Sequence, residues 1–133
     1  MATNTTHATP PARQLYTPQV HYMSLAITYA DNGSTLTVGT IPAGAYVLRG
    51  GVAVTTAFNG NSANTVDIGT ASDTDGFATA LALGTIGVIV ADEMATSNDF
   101  YVTSETVIKC VVTSTASASA GAGLVWIEYI IPM

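Results

Sequence analysis

The sequence predicts an all-β fold: an antiparallel β-sandwich, of the strand number and length of a jelly roll, with an extended N-terminal arm. Three observations carry that prediction. Val, Ile and Thr supply 43 of the 133 residues, and these branched side chains suit a pleated, half-buried surface better than a helix. Apolar residues recur with a period of two in short runs, separated by turn residues roughly every 8–12 positions. No segment of ordinary helix length remains to cover a parallel sheet, so the strands must pair antiparallel. A chain of this length forms one domain and buries about two thirds of its unfolded surface.

Residues 1–19 stand apart as the arm. Thr3, Thr5, Thr6, Thr9, Pro10, Pro11 and Pro18 leave no apolar periodicity, and proline blocks both helix and sheet ladders. Such a segment becomes ordered only when something holds it, and a neighbouring subunit is the expected support. Pro10, Pro11, Arg13 and Tyr16 are its candidate contact residues.

The sandwich spans residues 20–133. From Tyr22, alternation places Met23, Leu25, Ile27 and Tyr29 on one face and Tyr22, Ser24, Ala26 and Thr28 on the other. Asp31-Asn32-Gly33-Ser34 reads as a tight hairpin turn, and Leu36 and Val38 as the return strand, closed by Ile41-Pro42-Ala43-Gly44. Ala45 to Phe58 is the longest strand, with Gly50-Gly51 expected to mark a bulge or bend. Asn59-Gly60-Asn61 turns into a short strand, Thr65 to Gly69, with Val66 and Ile68 inward and Asp67 outward. A brief helical turn is expected over Gly76 to Leu83. Strands follow at Ile86–Ala91, Phe100–Thr103, Thr106–Thr113 and Leu124–Ile131, with a hairpin at Ser104-Glu105 and a flexible Ser/Ala/Gly loop over Ser114–Gly123. On the last strand Val125, Ile127, Tyr129 and Ile131 share one face and Trp126 and Glu128 the other. With both faces rich in apolar residues, one is core and the other, around Trp126, touches a partner.

Charge excludes several function classes. Three Lys/Arg and nine Asp/Glu give a net charge of −6. Three dispersed cations cannot form the basic stripe that neutralises phosphates or an anionic membrane surface, so neither nucleic acid nor membrane is a partner. No apolar run reaches the roughly 18 residues of a membrane span, and no secretory signal is visible. A single cysteine, Cys110, excludes an internal disulfide framework. Charged residues make up only 9%, where a lone soluble domain carries about 25%. The shortage of surface charge points to a component of an assembly.

No constellation points to catalysis, a cofactor or a metal. Asp73-Thr74-Asp75-Gly76 imitates the first half of a calcium loop, but Gly84 stands where the closing bidentate Glu belongs; it reads as an acidic turn. His7 and His21 have no ligand spacing. Cys110 alternates with Ile108 and Val112 on an inner face, without the electropositive surroundings of a reactive thiol. Asp92-Glu93 and Asp99 read as a solvated loop rather than paired catalytic carboxylates.

Ile41-Pro42-Ala43-Gly44-Ala45, then Val52 through Gly60, then Val66-Asp67-Ile68-Gly69-Thr70 resemble segments of small virion proteins of tailed bacteriophages. These are the head decoration, or cement, proteins, jelly rolls that bind outside the capsid lattice. The resemblance covers the middle of the chain, and its motifs are structural, so it transfers no functional residue. It implies a non-enzymatic virion protein on the capsid surface, assembled in the host cytoplasm. Such a protein bridges subunits of the major capsid protein and associates with itself as a homodimer or homotrimer. The alternative is a carbohydrate- or receptor-binding β-sandwich module of a phage tail or fibre.

Overall fold

A computed structural model describes residues 19–94 and 100–131. The arm residues Pro10, Pro11, Arg13 and Tyr16, together with His7 and Asp99, lie outside the described residues. Eight strands make up the domain: β1 His21–Thr28, β2 Thr35–Ile41, β3 Tyr46–Thr56, β4 Thr65–Thr70, β5 Ala78–Ala82, β6 Gly87–Val90, β7 Thr106–Thr113 and β8 Ala122–Ile130. A three-residue 3-10 turn, Tyr29–Asp31, follows β1, and the Asp31 carboxylate accepts the Thr28 N–H at 2.8 Å.

The strands form two four-stranded sheets, ordered β1-β8-β3-β6 and β2-β7-β4-β5, with antiparallel pairing throughout. The pairing is nested. β1 pairs with β8, β2 with β7, β3 with β6 and β4 with β5, as if one long hairpin had been rolled up and split into two layers. That is the jelly roll expected from strand number and length. Alternation explains the packing: Ile27, Val47, Val52, Val54, Val125 and Ile127 of the first sheet meet Val66, Ile68, Leu81, Ile108, Cys110 and Val112 of the second. Phe77 and Leu83, both fully buried, fill the space next to β5.

Several local expectations are corrected. Gly76 to Leu83 is not helical, because Ala78–Ala82 is a strand paired to β4. The Asp67 side chain accepts the Ala80 N–H at 2.7 Å and holds Ala80 at φ 55°. Tertiary pairing has overridden the helix propensity of an Ala/Leu-rich segment. Asn32-Gly33 does turn the chain, with Gly33 at φ 77° and Ser34 N–H bonded to Asp31 C=O at 2.9 Å. It makes no hairpin, however, since β1 and β2 belong to different sheets. Gly50-Gly51 is paired straight through to Ile127 and Trp126, and the register shifts fall at Val47/Arg49 and Val54/Thr56 instead. Those glycines answer to close approach: a Cβ on Gly51 would collide with the Ile89 carbonyl oxygen of β6, and one on Gly50 would sit 2.8 Å from the Trp126 carbonyl.

Two further segments also differ. Phe100–Thr103 contributes one bridge, Tyr101 to Tyr46, so Ser104-Glu105 joins two layers and not two paired strands. Ser114–Gly123 is pinned rather than loose. Asn59 accepts the N–H groups of Ser119 and Ala120 at 2.9 and 3.0 Å, Ser114 donates to Asn64 at 2.8 Å, and Ala122 and Gly123 already belong to β8. Low-complexity composition concealed a set of asparagine partners some 60 residues away.

Candidate interaction face

Register decides what each sheet shows outward, because residues opposite one another in a ladder point to the same side. Across the first sheet one outward row is Ala26, Leu124, Ala53 and Val88, and the next is Ser24, Trp126, Gly51 and Val90. A third row holds Tyr22, Glu128 and Arg49. Beyond it, Ile130 faces Tyr46, which pairs in turn with Tyr101. Val88 and Val90 are 67% and 54% exposed and Leu124 39%; Trp126 is half-buried among these neighbours.

The second sheet looks different from outside. Its outward positions include Thr35, Thr37, Thr40, Thr65 and Thr113, with Lys109 donating to Thr37 at 2.7 Å and Asp67 bonded to β5. Every exposed large hydrophobic residue among those described lies on, next to, bridged to or stacked on a strand of the first sheet, and none lies on the second. One face of the sandwich is therefore dressed for water and the opposite one is not. A contiguous apolar face of this kind marks an interaction surface more often than scattered exposed residues do.

The charges follow the same division. Arg49 and Glu128 are the only Lys, Arg, Asp or Glu residues on strands of the first sheet. They pair with each other, Arg49 Nε to Glu128 Oε2 at 2.7 Å and Nη2 to Oε1 at 3.4 Å, and the carboxylate raises the guanidinium pKa further above its usual value. The face thus carries no net charge. Asp31, Asp67, Asp73, Asp75, Asp92, Glu93 and Glu105 lie elsewhere, opposed by Lys109 among the described residues.

Aromatic rings crowd the end where β1 begins and β8 finishes. Tyr46 stacks with Phe100 at 6.1 Å and tilts against Tyr101 at 4.8 Å, and His21 stacks on Tyr129 at 5.4 Å. Beside them a cleft of about 160 Å³ is lined by Thr70, Ser72, Tyr101, Val102, Thr103, Ser104 and Thr106. It is smaller than the roughly 300 Å³ at which small-ligand sites begin. Its lining offers hydroxyl groups and no carboxylate, imidazole or amine.

The chemically suggestive residues do not converge. Among the described residues no three His, Cys, Asp or Glu side chains gather as a metal site, and no buried side-chain nitrogen or oxygen lacks a hydrogen-bond partner. Asp73 closes its own turn, its C=O accepting the N–H groups of Thr70 and Gly76. Cys110 is fully buried, and burial pushes its thiol up to about 11, where it is neither nucleophile nor ligand at neutral pH. Of the five residues expected to touch a partner, Trp126 is the one the structure describes. Sequence reasoning found it and Glu128 on one strand but missed Val88, Val90, Leu124 and Arg49. The available signal was outward alternation in β6, which only the ladder register joins to Trp126.

No protein-family model and no curated protein matches this sequence. Solved structures do share the fold. A chain of the cyanophage Pam1 capsid asymmetric unit is 24% identical with a TM-score of 0.64, over 98% of this chain and 99% of that one. A chain of the acid-stable capsid of Helicobacter pylori bacteriophage KHP30 is 18% identical with a TM-score of 0.66, over 86% and 89%. A chain of the capsid of Ralstonia phage GP4 is 16% identical with a TM-score of 0.65, over 96% and 92%. At these identities the likeness is one of fold, and it extends over most of each chain.

Proposed function

We propose that this jelly roll is a structural virion protein of a bacteriophage, and within the virion a decoration protein that attaches to the outside of the capsid and stabilises it. The observation that carries the proposal is the one-sided distribution of exposed apolar surface on a fold shared with chains of three phage capsids. A subunit that builds a closed shell must meet neighbours around its whole perimeter. Here one face is apolar and the remainder is acidic or threonine-rich, which suits an attached protein better than a tile. The function requires no chemistry: a ligand that binds only the assembled lattice favours assembly by mass action, and attachment through several copies multiplies weak contacts.

The partners in this reading are the major capsid protein and further copies of the chain. Pro10, Pro11, Arg13 and Tyr16 are assigned to capsid contact, where Arg13 is the sole charged residue of the first 30. Purified protein mixed with undecorated capsids of the parent phage is expected to co-sediment with them and to raise their resistance to heat. Failure of folded protein to bind would overturn the proposal. Removing residues 1–19 is expected to weaken attachment while leaving the melting temperature of the isolated domain nearly unchanged. A large drop in melting would place those residues in the domain's own core.

A further inference from the structure

We infer that the outer face of the first sheet is a self-association surface, and that its occupant is the same face of a second copy related by a two-fold axis. The inference concerns the purified chain alone, and a face occupied by a second copy leaves capsid attachment to the segment of residues 1–19 assigned to it above. Three features of the face carry it.

The first is charge. Away from this face the described residues hold seven acids against Lys109, so most of the remaining surface is acidic and repels a second copy. On this face the only charges are Arg49 and Glu128, and they sum to zero. The second is self-complementarity. A two-fold contact places the same patch against itself, so a face with one cation beside one anion can set Arg49 of each copy against Glu128 of the other. Buried pairs of this kind fix register more than they add affinity. The apolar rows around Leu124, Trp126, Val88 and Val90 supply the attraction, and like-twisted sheets can stack face to face in near alignment.

The third is area. Four strands about 4.8 Å apart and eight residues of about 3.4 Å each project a face of roughly 500 Å². Two such faces remove about 1,000 Å² or somewhat more, the lower bound for a specific interface. The association is therefore expected to be weak, reversible and concentration-dependent in solution, in the micromolar range.

Sedimentation velocity on the full chain tests this. The wild-type protein is expected to move from monomer toward dimer across that concentration range. Leu124→Asp is expected to weaken the dimer at least about tenfold, since it buries an unpaired charge, and to leave the folded monomer's circular dichroism unchanged. The sharper arm uses complementation. Arg49→Glu and Glu128→Arg should each be monomeric, whereas a 1:1 mixture should form heterodimers, although both variants remain net acidic. A wild-type protein monomeric throughout, Leu124→Asp dimers as strong as wild type, or a mixture that stays monomeric would each overturn the inference. A trimer that dissociates on Leu124→Asp but ignores the charge mixture would overturn the two-fold arrangement. Since no capsid is present, none of these results depends on whether the protein binds one.

Discussion

Gly51→Ala tests whether the paired glycines of β3 are there for proximity or for bending. A methyl group on Gly51 would collide with the Ile89 carbonyl oxygen and approach the Val90 Cα to 3.0 Å, and both are backbone atoms that cannot rotate away. The strand that must retreat is β6, which is four residues long and paired to β3 alone. Its anchorage comprises the ladder Gly51↔Val90 to Val54↔Gly87 and the Ala91 N–H bonded to Gly50 C=O at 2.8 Å. Losing two or three of those hydrogen bonds at about 1 kcal/mol each costs roughly 2–3 kcal/mol. The reduced freedom of the unfolded chain returns about 0.4–1 kcal/mol. The net loss of about 1–3 kcal/mol lowers Tm by roughly 4–11 °C for a domain of this size. Differential scanning calorimetry measures it, and hydrogen exchange should show β6 amides losing protection first. Gly84→Ala is the control, because nothing lies within 4 Å of its Cβ position; it should be neutral or slightly stabilising. A Gly51→Ala protein that melts at or above wild type would refute the close-approach argument and restore the bend.

Three further outcomes are expected. Asn64→Ala removes the amide that donates to Gly60 C=O at 2.8 Å and the oxygen that accepts from Ser114; it should cost about 1–3 kcal/mol, with faster exchange over residues 57–64 and 114–121. Ala80→Gly should stabilise the domain slightly, by up to about 1 kcal/mol, through relief at a left-handed position, whereas Ala53→Gly within β3 should destabilise it, both read from thermal melts. The Cys110 thiol has a folded pKa above its unfolded one, so the native state holds the proton longer. Stability is fully present below the unfolded pKa near 9 and declines as pH rises toward about 11, by on the order of 2 kcal/mol. Urea titrations from pH 8 to 11 should show that decline, and Cys110→Val should flatten it.

What could be read from the sequence depended on the range of the interaction. β1, β2, β7 and β8 follow from alternation alone, because a strand with one buried face prints its period directly. β5 does not, since Ala78-Thr79-Ala80-Leu81-Ala82 becomes a strand through Asp67 and the β4 ladder, ten or more residues away. Asn32-Gly33 announced a reversal correctly but could not say whether the next strand stays in the sheet or crosses to the other. The interaction face was half visible. Trp126 and Glu128 share a strand, but Val88, Val90 and Arg49 join them only through pairings 35 or more residues distant. The acidic turn and the buried thiol were legible throughout, since each is decided by its immediate neighbours.

The nested pairing has a consequence for anyone who would hang cargo on this protein. Because β1 pairs with β8 along its whole length, with His21 opposite Tyr129, residues 19 and 131 leave the sandwich side by side. A domain fused after residue 131 would therefore crowd the segment assigned to hold the shell. The asparagine-pinned loops at 57–64 and 114–121 lie at the other end of β1, roughly 25 Å away for eight residues of strand. A peptide inserted at Ser62, which is exposed between the pinned asparagines, would project away from residues 19 and 131 and leave the apolar sheet face uncovered.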